Sequence, residues 1–353
     1  MLHIFRSGSA FERLTTARKF VSNLPKTTGV VIVASSRAAA DDFVRGIAAE
    51  SPATMGLHRL SFPQFAVQIA RGELARRGLA PLTAPGADAI GTRSIFEVRK
   101  RNELEYFTSV ADKPGFAVAL GNTIRELRAS GVEPGALRGL GPRGRDLCAF
   151  LTEYLARLAS NGLADATDLF TIAAEQVEAG GSGLFLLPIV LVDVAIGSKA
   201  EERFAAALAS KPTEILATVI EGDLRTIAAL GRLGGEWSNA EKREATSLER
   251  LQNFVFSSTP ASCYSEDELV QFFSAPGEGR ECIEIARRIQ QQAQNGVTFD
   301  EVAIALRSSQ TYAALLESAL DRAEIPAYFA RGTRKPDASG RALLALLLCA
   351  EER

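Results

Sequence analysis

Six consecutive residues, Gly29-Val30-Val31-Ile32-Val33-Ala34, carry no polar side chain, and four of the six are β-branched. A strand that is apolar on both alternating faces must be covered on both, which is the situation of a strand inside a parallel sheet. Ser35-Ser36-Arg37 follows, and then helical spacing from Ala38 to Ala49, with Ser36 placed to cap the helix. This strand–turn–helix unit commits the chain to an α/β architecture with helices on both sides of a sheet.

Further strands are expected where similar runs recur. Leu2 to Arg6 precedes a Ser7-Gly8-Ser9 turn and a helix. Leu184 to Val194 and Glu214 to Val219 follow later, then Phe254 to Ser257 and Val270 to Ser274. The unit Val302–Leu306, Thr311–Ala323, Ile325–Phe329 reads as strand, helix, strand. Between Ser61 and Glu178 strand signals vanish. Apolar residues there recur at three and four, as in Phe62, Phe65, Ile69 and in Phe116, Leu120, Ile124, Leu127. Glycine–proline clusters at 84–86, 133–135 and 139–144 punctuate the helices. A chain of 353 residues exceeds what one core usually serves. The expectation is therefore a discontinuous parallel-sheet domain (1–55 and 184–260), an all-helical insertion (56–183), and a second, unfinished α/β domain (261–353).

Composition excludes several classes. No stretch of 18 apolar residues could span a membrane. Met1 to Gly8 lacks the basic, apolar and small-residue succession of a secretion signal. Cys148, Cys263, Cys282 and Cys349 stand far apart, and only His3 and His58 accompany them, so no metal site is expected and a reducing cytoplasm fits. Net charge is −2, unevenly spread: residues 56–145 hold 14 Lys/Arg against 8 acids. That excess suits a phosphate-contacting surface and equally a solvated helical face.

Two half-sites invite comparison with a nucleoside-triphosphate machine. A phosphate loop needs glycines, a lysine and a Ser/Thr after the first strand. Here Gly8 and Ser9 supply the turn, but Ala10-Phe11-Glu12 stands where the Gly-Lys-Ser/Thr ending belongs. The partner half-site is a pair of carboxylates at a strand end. Leu191-Val192-Asp193-Val194 offers one acid, and Asp193 could equally be a simple strand-end cap. No Gly-x-Ser-x-Gly elbow or Asp/Glu-x-Lys nuclease signature is visible. Asp41-Asp42, Asp165/Asp168 and Glu201-Glu202 read as solvated or helix-start acids.

Taken in order, these segments resemble the N-terminal part of AddB-type subunits of ATP-dependent helicase/deoxyribonucleases, relatives of UvrD-like helicases. Val31 to Ala39 resembles the segment that touches single-stranded DNA, with Ser35, Ser36 and Arg37 on its DNA-facing positions. Gly56 to Ser61 is similar to the next contact motif, with His58 on its histidine and Arg59 beside it. Phe273 to Cys282, including the domain-interface loop Glu278-Gly279-Arg280-Glu281, resembles the segment that opens the second motor-like domain. Val302 to Ser308 resembles the motif whose arginine, here Arg307, meets nucleotide in active helicases, and Gly332-Thr333-Arg334 continues it.

The resemblance implies a RecA-like fold and binding to DNA, as a single strand or a duplex end. It also implies a motor/nuclease partner of the AddA type. Gly8, Ser9, Asp193 and Arg307 would form a degenerate nucleotide site without ATP or magnesium, and the family's iron–sulfur cluster would belong to a C-terminal part beyond Arg353. An active ATPase with an atypical loop and a purely structural docking subunit are the alternatives. Local readings stand beside the implied roles. Arg37 could pair with Asp41 or Asp42, and His58 could be a partly buried, satisfied histidine. Glu278 to Glu281 could be a polar loop before a helix over 282–292, with Gly277 and Gly279 packed tightly against a neighbour.

Overall fold

The apolar runs do become the centre of a sheet. The computed structural model describes residues 1–50, 55–181, 183–240, 246–255, 267–330 and 338–351. In it β1 (Leu2–Ser7), β2 (Val30–Ala34), β3 (Leu57–Ser61), β6 (Ile189–Val192), β7 (Ile215–Ile220) and β8 (Glu236–Asn239) form one six-stranded sheet. The order is β3-β2-β6-β7-β1-β8, and every pairing is parallel. A two-residue parallel pair, β4 (Ala80–Pro81) with β5 (Leu163–Ala164), lies outside it.

Alternation along each strand sorts side chains onto two faces. Val31, Val33, Ile189, Leu191, Ile215 and Ala217 point to one. There α3 (Phe62–Arg76), α8 (Ala166–Ala179), α9 (Lys199–Ala209) and α10 (Leu224–Arg232) cover them. Phe62, Phe170 and Phe204 meet at centroid distances of 5.2–5.8 Å and join three of these helices. Val30, Ile32, Val190 and Leu216 point to the other face, under α1 (Ala10–Asn23) and α2 (Arg37–Glu50). The result is a three-layer α/β/α arrangement.

The segment expected to be wholly helical is not so. Leu57–Ser61 is the edge strand β3, and α3 and α8 belong to the sheet's own core. A separate core lies between α4 (Ala84–Lys100), α5 (Pro114–Ala129), the short α6 (Pro134–Leu137) and α7 (Gly141–Ser160). The strand expected over Leu184–Val194 is shorter, because Leu184–Leu186 is a 3-10 turn that buries Phe185 without pairing.

Within this helical core the loop after α4 is pinned by one carboxylate. Asp146 on α7 is fully buried, and its oxygens accept from the backbone N–H groups of Glu105, Tyr106 and Phe107 at 2.9–3.0 Å. Removing the acceptor strands three part-buried donors, each costing on the order of 1 kcal/mol. Asp146→Ala should therefore lower unfolding free energy by about 2–3 kcal/mol in urea titration. A loss below about 0.5 kcal/mol would show that the loop finds other acceptors.

The chain divides into two units, Met1–Asp267 and Glu268–Arg353. In the first, α11 (Ser247–Phe254) ends at Phe254, where a strand was expected; residues 256 and 257 lie outside the described ones. In the second, α12 (Glu278–Gln294) buries Cys282, Ala286 and Ile289 in two small clusters with Leu316, Ala319 and Leu320 of α13 (Ser309–Arg322). The apolar α14 (Ala338–Glu351) follows. The strands expected at Val270–Ser274, Val302–Leu306 and Ile325–Phe329 do not form, and among the described residues this unit contains no strand. Gly332-Thr333-Arg334 lies outside the described residues.

Candidate functional site

Ligands of open α/β sheets collect at the carboxyl ends of strands where successive helices cross to opposite faces. Here α1 and α2 follow β1 and β2 on one face, while α9 and α10 follow β6 and β7 on the other. The carboxyl ends of β1, β7, β6 and β2 therefore frame the crevice, and both expected half-sites fall there.

An internal ion pair occupies it. Arg13, in the first turns of α1, is almost completely buried. Its Nε donates to Asp193 Oδ1 at 2.8 Å and its Nη2 to Asp193 Oδ2 at 3.0 Å. The remaining terminal nitrogen donates to the carbonyl of Ser7, the last residue of β1, at 2.7 Å. This two-point fork is the geometry a carboxylate binds best. Thr218 on β7 completes the clamp: its Oγ1 donates to Asp193 Oδ1 at 2.8 Å and accepts from the Asp193 N–H at 3.0 Å. Asp193 has φ of +49°, a strained value for a residue with a side chain, held by these contacts. It is more than a strand-end cap. Arg13 and Thr218, which sequence reasoning missed, are its fixed partners.

The adjoining turn is equally ill suited to polyphosphate. Ser7 Oγ donates to Glu12 Oε2 at 2.6 Å and accepts from the Ser9 N–H at 2.9 Å. A cavity of about 420 Å³ opens beside it, lined by Gly8, Ser9, Phe11 and three carboxylates, Glu12, Glu221 and Glu249, with no lysine or arginine in its lining among the described residues. Gly8 fits a close approach: a Cβ there would lie 3.2 Å from the Gln252 carbonyl and from Asn253 Oδ1 on α11, so these neighbours would have to shift by a few tenths of an ångström. A magnesium triphosphate needs a cation for its phosphates and an unengaged carboxylate for its metal. These residues do not fit that group: the arginine and Asp193 neutralise each other, and the turn is acid-lined. Arg307 belongs to the second unit, where it is exposed.

The expected DNA-facing residues sort differently. Ser35, Ser36 and Arg37 are exposed at the carboxyl end of β2. Ser36 caps α2 as expected, its Oγ accepting from the Ala39 N–H at 3.1 Å. Arg37 and Arg59 converge on one carboxylate: Arg37 Nε lies 3.3 Å and Arg59 Nη1 3.4 Å from Asp41 Oδ1. Two guanidiniums against one acid leave a net positive, solvated cluster, and such exposed pairs hold little energy that a phosphate could not replace. His58 does not join them. It pairs in register with Val31, whose side chain belongs to the opposite face from that of Ile32, the partner of Arg59. It is exposed rather than partly buried.

Two further expectations are corrected. Glu278 to Glu281 is the first turn of α12 and not a loop, with Gly277 at φ +94° starting the helix. Neither Gly277 nor Gly279 is packed against a neighbour, since a Cβ at either would meet nothing within 4 Å. Glu278 and Glu281 suit a helix start electrostatically, Glu281 accepts from the Tyr312 hydroxyl at 2.8 Å, and Arg280 is exposed. The basic excess of residues 56–145 is also partly spent. Arg59, Arg76, Arg77, Arg93, Arg101, Lys113, Arg128 and Arg145 all stand in ion pairs.

No protein-family model matches the chain, and no curated protein does. No helix among the described residues is long and apolar enough to cross a membrane.

Proposed function

We propose that this chain is a helicase-like DNA-binding and scaffolding region of a double-strand-break repair helicase/nuclease, with a RecA-like first domain and a nucleotide site given over to an internal ion pair. The observation that carries the reading is the Arg13–Asp193 fork at the crevice of a six-stranded parallel sheet. The scaffold suits a mononucleotide, while its cation and its carboxylate serve each other. Beside that crevice, two exposed hydroxyls and the Arg37–Arg59 cluster offer contacts to phosphate that position a strand without reading its sequence. Cytoplasmic DNA and an AddA-type motor/nuclease partner belong to the same reading, on the resemblance alone.

The test is fluorescence anisotropy of a labelled oligo-dT with the whole chain at several salt concentrations. Arg37→Glu with Arg59→Glu should weaken binding at least about tenfold at low salt and flatten the salt dependence by roughly one to two counterions. DNA-stimulated ATP hydrolysis should be absent. Unchanged affinity in the double variant, or turnover of ATP at motor speed, overturns the reading.

A further inference from the structure

We propose that the outward face of α4 is a second contact for an unpaired polynucleotide strand, with a base stacked on Phe96 and phosphates met by Arg99 and Lys100. Gly91, Ser94, Ile95 and Val98 make the buried face of this helix. Phe96 turns away from it and is 51% exposed. Arg93, Arg99 and Lys100 stand three or four residues from Phe96 and so share its face.

The cations do not play one role. The Arg93 guanidinium carbon lies 5.0 Å from the Phe96 ring centroid, a cation–π contact that fixes the ring. Its charge is partly compensated by Glu97 at 2.6 Å, but Arg157 draws on the same carboxylate at 3.5 Å. Arg99 and Lys100 make no ion pair and no side-chain hydrogen bond among the described residues. Of the 14 basic residues in this segment, six stand in no ion pair among the described residues, and two of these six, Arg99 and Lys100, flank an exposed aromatic ring. Unpaired strands are held by this combination, a stacking platform beside phosphate-binding cations. A duplex offers no accessible base to stack, and an acidic peptide would need the cations but not the ring.

The proposal rests on the DNA-binding reading for its ligand class, yet it uses a different helix and a different core from the Arg37–Arg59 cluster. It is tested on the whole chain by anisotropy with oligo-dT and by photo-crosslinking with the same oligomer carrying 5-iododeoxyuridine. Phe96→Ala should weaken binding at least about fivefold, and Phe96→Trp should restore it. Arg99→Ala with Lys100→Ala should reduce the salt slope by roughly 1.4. Crosslinks should map to the peptide containing Phe96, and should persist at raised protein concentration in the Arg37→Glu, Arg59→Glu variant. Wild-type affinity in Phe96→Ala, or polyglutamate competing as well as oligo-dT, overturns the proposal. Crosslinks confined to the Ser35–Arg37 peptide overturn it alone and leave the first reading standing. Absence of binding by the wild-type chain overturns both.

Discussion

Replacing Arg13 by methionine is expected to lower the unfolding free energy by about 3 kcal/mol, among the largest losses any single substitution in this chain should cause. The side chain is 5% exposed and holds three hydrogen bonds, two to Asp193 and one to the Ser7 carbonyl. Removing it leaves a carboxylate with most of its surface out of water and, among the described residues, only Thr218 to satisfy it. The figure is set at the lower end for a broken buried pair because the Asp193 side chain keeps 23% of its exposure, so water can reach one edge of it. Urea unfolding measures it directly, and a loss under about 1 kcal/mol would mean the crevice is wetter than its geometry implies.

The same pair distinguishes a structural staple from an idle active site. If Arg13 and Asp193 matter chiefly to each other, Arg13→Met combined with Asp193→Leu should recover much of the single-variant loss, because no uncompensated charge remains. Neither single variant should gain ATP binding, since Glu12, Glu221 and Glu249 still face the adjoining cavity. Gain of nucleotide-dependent stabilisation in Asp193→Asn or Arg13→Lys would instead identify a site blocked only by the bridge.

What the sequence disclosed, and what it hid, follows from which interactions are local. Val30–Ala34, Ile189–Val192 and residues 215–219 are buried on both faces, so their composition alone marks them as sheet interior. Leu57-His58-Arg59-Leu60-Ser61 is an edge strand with solvent along one side; only Leu60 is buried, and no apolar run announces it. Ile325 and Phe329 illustrate the converse. Their strand-like composition is satisfied by packing against α12 and α13, with no ladder formed among the described residues. Glu278 to Glu281 reads as a polar loop, yet a helix starts there, where a first-turn glycine is cheap and Glu278 and Glu281 complement the helix dipole. Asp193 was legible from its place at the end of an apolar run. Arg13 was not, because its partner lies 180 residues away and nothing local distinguishes it from Arg18 or Lys19. Asp165 and Asp168 were recognisable as helix-start acids, but not as the acidic half of an ion network with Arg128.

That network gives a second large effect, with a pH dependence whose sign is fixed. Asp165 caps α8 and Asp168 returns the capping-box bond, and both carboxylates face Arg128 of α5. Asp165 is buried and Arg128 half-buried, while Asp168 sits at the solvent edge with 35% of its side chain exposed, so the energetic weight is placed on the first two. Burial, then the neighbouring Asp165, raises the Asp168 carboxyl above its ordinary value, and Arg128 works against both. The same burial pushes the Tyr154 phenol up to about 12, so it stays protonated throughout and takes no part in the titration.

Arg128→Met should cost about 3 kcal/mol near neutrality. It also deletes the downward influence on Asp168, so the variant's folded state takes up a proton at higher pH than the wild type's. A carboxyl whose folded pKa lies above its unfolded one contributes its stability fully below the unfolded value. That contribution is lost as pH rises through the folded value. The deficit of Arg128→Met relative to wild type should therefore shrink between about pH 7.5 and about pH 5, in the direction opposite to acid denaturation driven by paired carboxylates. Urea midpoints of both proteins at the two pH values decide it. A deficit that stays constant or grows on acidification would mean that Asp168 is not the group left stranded when the guanidinium is removed.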